Sequence, residues 1–211
     1  MALLKVCGIT RRADLQVCDA LGVDAVGINL WSGSKRGLSV DAAASLLEGT
    51  VGAQRVGVFV DHTPPEVAAI AKRLHLDAIQ PHGELPIEPF AALGLPWVWV
   101  IRGTPELSSL VVPNPLPAWV LLDAAVPGFG GAGAKTDWPW AAKAVSALAP
   151  LPVWLAGGIT PGNAADALAQ VRPAGLDVAS GSEVPGATRG EKDAARVQAL
   201  LRACRGAPED S

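Results

Sequence analysis

The sequence is poor in the residues that build cross-linked or metal-held proteins. Only three cysteines, Cys7, Cys18 and Cys204, stand among its 211 residues. An odd, widely spaced set of this kind gives no disulfide framework. The three histidines, His62, His75 and His82, lack the spacing of a metal site, so no metal is expected. No apolar run approaches the roughly 20 residues that cross a bilayer, so no membrane association is expected. The opening residues MALLKVCGIT lack the basic start and long apolar stretch of a secretory signal. A reduced, cytoplasmic setting is the expectation. Charge is also scarce: charged residues make up 18% and the formal net charge is −3. That excludes a bulk attraction to nucleic acid or acidic membranes and leaves any useful basic residue to act locally.

What the chain has in quantity is apolar residues, 50% of the total, arranged in a repeating unit. A short apolar run is followed by a polar or Gly-rich turn and then an Ala/Leu-rich amphipathic stretch. The runs are Leu3–Val6, Ala25–Leu30, Arg55–Val60, Asp77–Gln80, Trp97–Ile101, Trp119–Leu122, Val153–Leu155 and Leu176–Ala179. The helical stretches are Arg11–Leu21, Asp41–Leu47, Pro65–Leu74, Ile87–Leu93, Pro105–Val111, Trp138–Leu148, Pro161–Gln170 and Glu191–Cys204. About eight units of about 26 residues predict a single-domain (β/α)₈ barrel, an α/β TIM barrel over residues 1–205 with a polar tail at 206–211. The runs are uniformly apolar, as strands buried on both faces must be. Thr63 before Pro64-Pro65 and Thr160 before Pro161 are helix-start signals. Prolines 86, 89, 113, 115 and 117 interrupt the fourth and fifth units. A doubly wound open sheet is the alternative architecture.

In such barrels the chemistry sits at the C-terminal ends of the strands and in the loops that follow. Gly157-Gly158 after the seventh run and Ser180-Gly181 after the eighth leave backbone N–H groups unobstructed, as a phosphate site requires. One such pair would be read as a turn; two in adjacent loops point to phosphate. Cys7 and Asp123 end the first and sixth runs and are the acid–base candidates. Taken alone, Cys7 reads as a small core residue. Lys5 shares its strand parity, so both side chains should point inward, and Lys5, paired with Asp177, is expected to favour the thiolate. A carboxylate at the end of an apolar strand is costly without a partner or a proton to donate, which singles out Asp123. Strands 1 and 6 flank strands 7 and 8, so a base and an acid would bracket a phosphate-anchored sugar.

These segments resemble the phosphoribosylanthranilate isomerases of tryptophan biosynthesis. Lys5-Val6-Cys7-Gly8-Ile9-Thr10 is similar to the family's opening signature. Arg55–Val60, Gln80-Pro81-His82-Gly83, Leu121-Leu122-Asp123, Pro127-Gly128-Phe129-Gly130-Gly131, Leu155–Pro161 and Leu176–Gly181 follow in the family's order. The resemblance implies a cofactor-free Amadori rearrangement of a small phosphorylated substrate, N-(5-phosphoribosyl)anthranilate. It makes Asp123 the general acid on the ribose ring oxygen and Cys7 the general base at C2. It puts Arg36 against the anthranilate, and Gln80 and His82 at the mouth as polar substrate contacts. For Arg36 the plain alternative is a solvated loop residue; for His82 it is a structural hydrogen bonder. Three departures stand out: Pro81 replaces the usual leucine, Lys135 falls one place late and so takes no role, and the stretch Glu183–Asp193 is long. Glu191-Lys192-Asp193 reads as a solvated helix start, Cys18 as inert, Cys204 as exposed near the chain end, and the tryptophans as packing groups. A different sugar-phosphate isomerase and a non-catalytic phosphate-binding barrel are the rival functions, and either a monomer or a homodimer is expected.

Overall fold

A computed structural model describes residues 1–49, 52–124, 135–186 and 190–206. Eight parallel strands are present: β1 (Leu3–Cys7), β2 (Ala25–Asn29), β3 (Gln54–Phe59), β4 (Ala78–Pro81), β5 (Val98–Arg102), β6 (Trp119–Asp123), β7 (Val153–Leu155) and β8 (Gly175–Val178). Their spatial order is β4-β3-β2-β1-β8-β7-β6-β5. A parallel bridge between Ile79 and Trp97 joins the two ends, so the sheet closes into a barrel. The open-sheet alternative is thereby set aside.

Between the strands run α1 (Arg12–Leu21), α2 (Val40–Leu47), α3 (Pro64–Leu74), the single turn α4 (Glu88–Ala91), α5 (Trp138–Ala147), α6 (Ala164–Val171) and α7 (Ala194–Arg205). The helix expected at Pro105–Val111 is not formed; only a 3₁₀ turn at Leu107–Ser109 is found there. Prolines 113, 115 and 117 follow it closely, and a residue without an N–H cannot continue a helical ladder. At α3 the start signal at Thr63 operates as a capping box with Glu66. The signal at Thr160 does not cap directly: α6 begins four residues later, at Ala164, after Asn163.

The core has two shells, as alternation along buried strands requires. The outer shell packs strand residues such as Leu4, Val6, Leu122 and Leu155 against the helices. The inner shell fills the barrel with Ala25, Val56, Ala78, Val98, Trp119, Leu121 and Trp154. Trp119 and Trp154 stack with ring centroids 5.4 Å apart, so these two are packing groups inside the barrel and not, as the sequence suggests, between barrel and helices. Cys204 is 2% exposed, which corrects the expectation of an exposed thiol: α7 docks on β1, where Ala2 N donates to the Cys204 carbonyl.

Candidate active site

The inward-facing layer near the C-terminal ends of the strands is polar where the layer below is apolar. Lys5 from β1 is fully buried, and its Nζ lies 2.7 Å from Asp177 Oδ2 on β8 and 3.0 Å from Gln80 Oε1 on β4. The pairing follows from register, because Lys5 stands directly opposite Asp177. Burial opposes the ammonium, yet Asp177 and Cys7 outweigh it and hold Lys5 above the ordinary lysine range.

Cys7 ends β1 opposite Gly27 of β2. A Cβ at position 27 would fall 2.7 Å from Cys7 Sγ, so the missing side chain there is what lets the thiol occupy its place. Burial raises the thiol above its ordinary value; Lys5, Lys192 and Arg36 pull it down, but the net direction is up. Lys5 therefore does favour the thiolate, as expected, but not by enough to leave the thiol below its ordinary value. The ammonium does attract it, but Asp177 already compensates that charge and desolvation is the larger effect.

Asp123 ends β6. Its Oδ1 accepts from Ala124 N at 2.9 Å, and its Oδ2 lies 3.4 Å from His82 Nε2. His82 follows β4, and its Nδ1 is 3.1 Å from Gln80 Nε2. Gln80 is thus held at both ends of its amide by protein groups. Pro81 does not disturb this pair. Ile79 N donates toward β5 and His82 N donates toward β3, to Phe59. The missing N–H of Pro81 therefore faces the β5 side, where the Ile79–Trp97 bridge is the last pairing, and not the β3 side that holds His82.

Arg36, in the loop after β2, is only 6% exposed and is not a solvated loop residue. Its stem crosses the face of Gly8, which a Cβ would block, and its Nε donates to Glu183 Oε1 at 2.5 Å. Nη2 is buried and has no hydrogen-bond partner among the described residues. Glu183 also lies 3.4 Å from Lys192 Nζ. Burial works against the Glu183 carboxylate, but these cations bring it below its usual range.

Lys192 overturns its sequence reading: its side chain is fully buried, and Nζ donates to the carbonyls of Cys7 at 2.7 Å and Ala179 at 3.1 Å. It ties the end of β1 to the end of β8. An antiparallel bridge between Glu183 and Lys192 brings the two residues together, and the Lys192 backbone N–H is bonded by buried Asp14. Asp193 does act as a helix start, capping α7. Lys135 Nζ lies 3.5 Å above the Trp138 ring.

The two glycine pairs end neighbouring strands, as expected. Gly157 and Gly158 both have positive φ, 81° and 66°, which a side-chain-bearing residue adopts only with strain. Gly181 packs so closely on Ile159 O that no Cβ would fit, and Ser180 opens a 3₁₀ turn, Ser180–Ser182. Two side chains not singled out from sequence pin these loops. Asn163 bonds Gly158 O at 2.9 Å and Thr160 N at 2.8 Å, and Arg196 Nε donates to Gly181 O at 2.9 Å. The loop residues Pro127-Gly128-Phe129-Gly130-Gly131 lie outside the described residues, as do residues 207–211. A depression of about 300 Å³ between Met1, Arg172 and Gly206 lies at the opposite end of the barrel and carries none of these groups. Among the described residues no cluster of side chains has the makings of a metal site, and no helix is long and apolar enough to cross a membrane.

Comparison with known proteins points to one family. A family model for N-(5'phosphoribosyl)anthranilate (PRA) isomerase matches residues 4–203. The N-(5'-phosphoribosyl)anthranilate isomerase of Thiobacillus denitrificans is 40% identical over 203 residues, covering 94% of this chain and 95% of the relative. The crystal structure of phosphoribosyl anthranilate isomerase from Thermus thermophilus superposes with a TM-score of 0.82 at 34% identity, covering 97% and 98% of the two chains. A further isomerase structure, in complex with reduced 1-(o-carboxyphenylamino)-1-deoxyribulose 5-phosphate, gives 0.80 at 28% identity, covering 98% and 100%. With the match spanning nearly its whole length, this chain belongs to the N-(5'-phosphoribosyl)anthranilate isomerase family.

Proposed function

We propose that the chain converts N-(5'-phosphoribosyl)anthranilate to 1-(2-carboxyphenylamino)-1-deoxyribulose 5-phosphate, with Asp123 as general acid and Cys7 as general base. The observation that carries this reading is the placement of a thiol and a carboxyl at the ends of β1 and β6, on either side of β7 and β8 with their glycine pairs. Backbone amides around Gly157, Gly158, Ser180 and Gly181 take the phosphate, which fixes the ribose between the two groups. Arg36 offers its buried, unpartnered Nη2 to the anthranilate carboxylate. His82 stands beside the acid, and Gln80 supports it from behind.

The steps balance within the substrate. Asp123 gives a proton to the ribose ring oxygen, the C1–O bond breaks, and the nitrogen lone pair makes a C1 iminium. Cys7 then takes the proton from C2, and the C–H electrons neutralise the iminium to give an enolamine. Tautomerisation moves a proton to C1 and leaves a ketone at C2. Because burial holds the resting thiol in its neutral form, the iminium beside C2 supplies the positive charge that favours the thiolate when it is needed.

The test is a fluorescence assay of freshly formed phosphoribosylanthranilate with wild type, Cys7→Ser and Asp123→Asn. Substrate fluorescence should decay with the wild type and persist with both variants. Full activity in either variant removes that residue from the scheme, and an inactive wild type removes the substrate.

A further inference from the structure

The polar side chains inside the barrel mouth form one continuous series, and its chemistry admits a single arrangement of hydrogens. From β8 to β6 it reads Asp177 Oδ2 to Lys5 Nζ at 2.7 Å, Lys5 Nζ to Gln80 Oε1 at 3.0 Å, Gln80 Nε2 to His82 Nδ1 at 3.1 Å, and His82 Nε2 to Asp123 Oδ2 at 3.4 Å. An ammonium has only donors, so Gln80 must turn its carbonyl oxygen to Lys5. Its NH₂ then faces His82, and a donor there requires that Nδ1 accept. The ring hydrogen of the neutral imidazole must therefore sit on Nε2, the nitrogen that faces Asp123. That nitrogen is buried and makes no hydrogen bond among the described residues. The donor is aimed at the carboxyl but held just beyond bonding range.

We propose that Lys5 is a positioning residue that acts through Gln80 to fix the tautomer of His82, so that an Nε2–H donor faces Asp123. Its service to the reaction rests on the reading of Asp123 as the acid. When Asp123 gives its proton to the sugar, negative charge appears on a carboxyl that already holds the Ala124 N–H on Oδ1. The His82 donor is in place to meet that charge on Oδ2, and a donor oriented beforehand stabilises a charge that develops during the reaction. With the hydrogen on Nδ1 instead, a lone pair would face the new carboxylate and repel it.

Nitrogen-15 NMR of the histidine-labelled protein at neutral pH reads the tautomer directly, with His82→Gln used to assign the signals. In wild type, His82 should show a protonated Nε2 and an unprotonated Nδ1. Gln80→Glu keeps the shape but puts an acceptor opposite Nδ1, so Nδ1 should become protonated and kcat should fall at least about tenfold with KM within about twofold. Lys5→Met should remove the preference without reversing it. A wild-type Nδ1–H tautomer, or an unchanged His82 spectrum in Gln80→Glu, overturns the proposal. Gln80→Glu differs from the wild-type side chain by a single isosteric atom exchange, so the test holds even if Lys5→Met does not fold. The NMR result is independent of turnover: an active Asp123→Asn would defeat the acid assignment while leaving the tautomer as found.

Discussion

Replacing Lys5 by methionine should destabilise the protein by about 3–5 kcal/mol, the range found when one partner of a buried ion pair is removed and the other is left uncompensated. The structure places the pair in that class. Lys5 is fully buried, the Asp177 side chain is 6% exposed, and the charged atoms lie 2.7 Å apart, so solvent screening discounts little. Lys5→Met also leaves Gln80 Oε1 without its donor. Equilibrium urea unfolding of wild type, Lys5→Met, Asp177→Asn and the double variant measures the effect. The double variant should lose at least about 1 kcal/mol less than the sum of the singles, since the two groups share one interaction. The sign of the pH dependence is set by the raised lysine value. The contribution is complete below the unfolded lysine pKa of about 10.4 and is lost as pH rises through the higher folded value. A loss below about 1 kcal/mol in Lys5→Met, or strict additivity in the double, would refute the reasoning.

Two further outcomes follow from the thiols and their surroundings. Gly27→Ala places a Cβ 2.7 Å from Cys7 Sγ; steady-state kinetics should show kcat reduced at least about tenfold with a smaller change in KM, and an unaltered kcat would mean that thiol placement is unimportant. Native alkylation should modify one thiol only. Cys18 and Cys204 are buried and pushed up to about 12, whereas Cys7 is partly exposed. Its reaction rate should still be climbing at about pH 8.5, the ordinary thiol value; a plateau well below that would contradict the upward shift.

Much of the barrel was legible because each strand is a short apolar run closed by a turn, a pattern that needs no tertiary information. Arg55–Val60 and Asp77–Gln80 each differ from the observed strand by one residue at each end. The segment after β5 was misread because Pro105–Val111 carries helix-compatible residues, while the prolines that stop it lie further on. The placement of Cys7, Asp123 and the glycine pairs at strand ends was legible because each apolar run stops where they stand. Lys192 was not. Its neighbours Glu191 and Asp193 mark a solvated turn, and nothing local shows that Glu183 returns alongside to share its charge. Gly27 was equally invisible, since its importance comes from standing across from Cys7 on another strand.

The most direct test is a crystal structure of the protein soaked with reduced 1-(o-carboxyphenylamino)-1-deoxyribulose 5-phosphate. The phosphate should lie on the backbone amides of residues 157–158 and 180–181, with Cys7 and Asp123 on opposite sides of the sugar carbons and the aromatic carboxylate at Arg36 Nη2. A phosphate bound elsewhere, or a thiol and carboxyl on the same side of the ligand, would contradict the account.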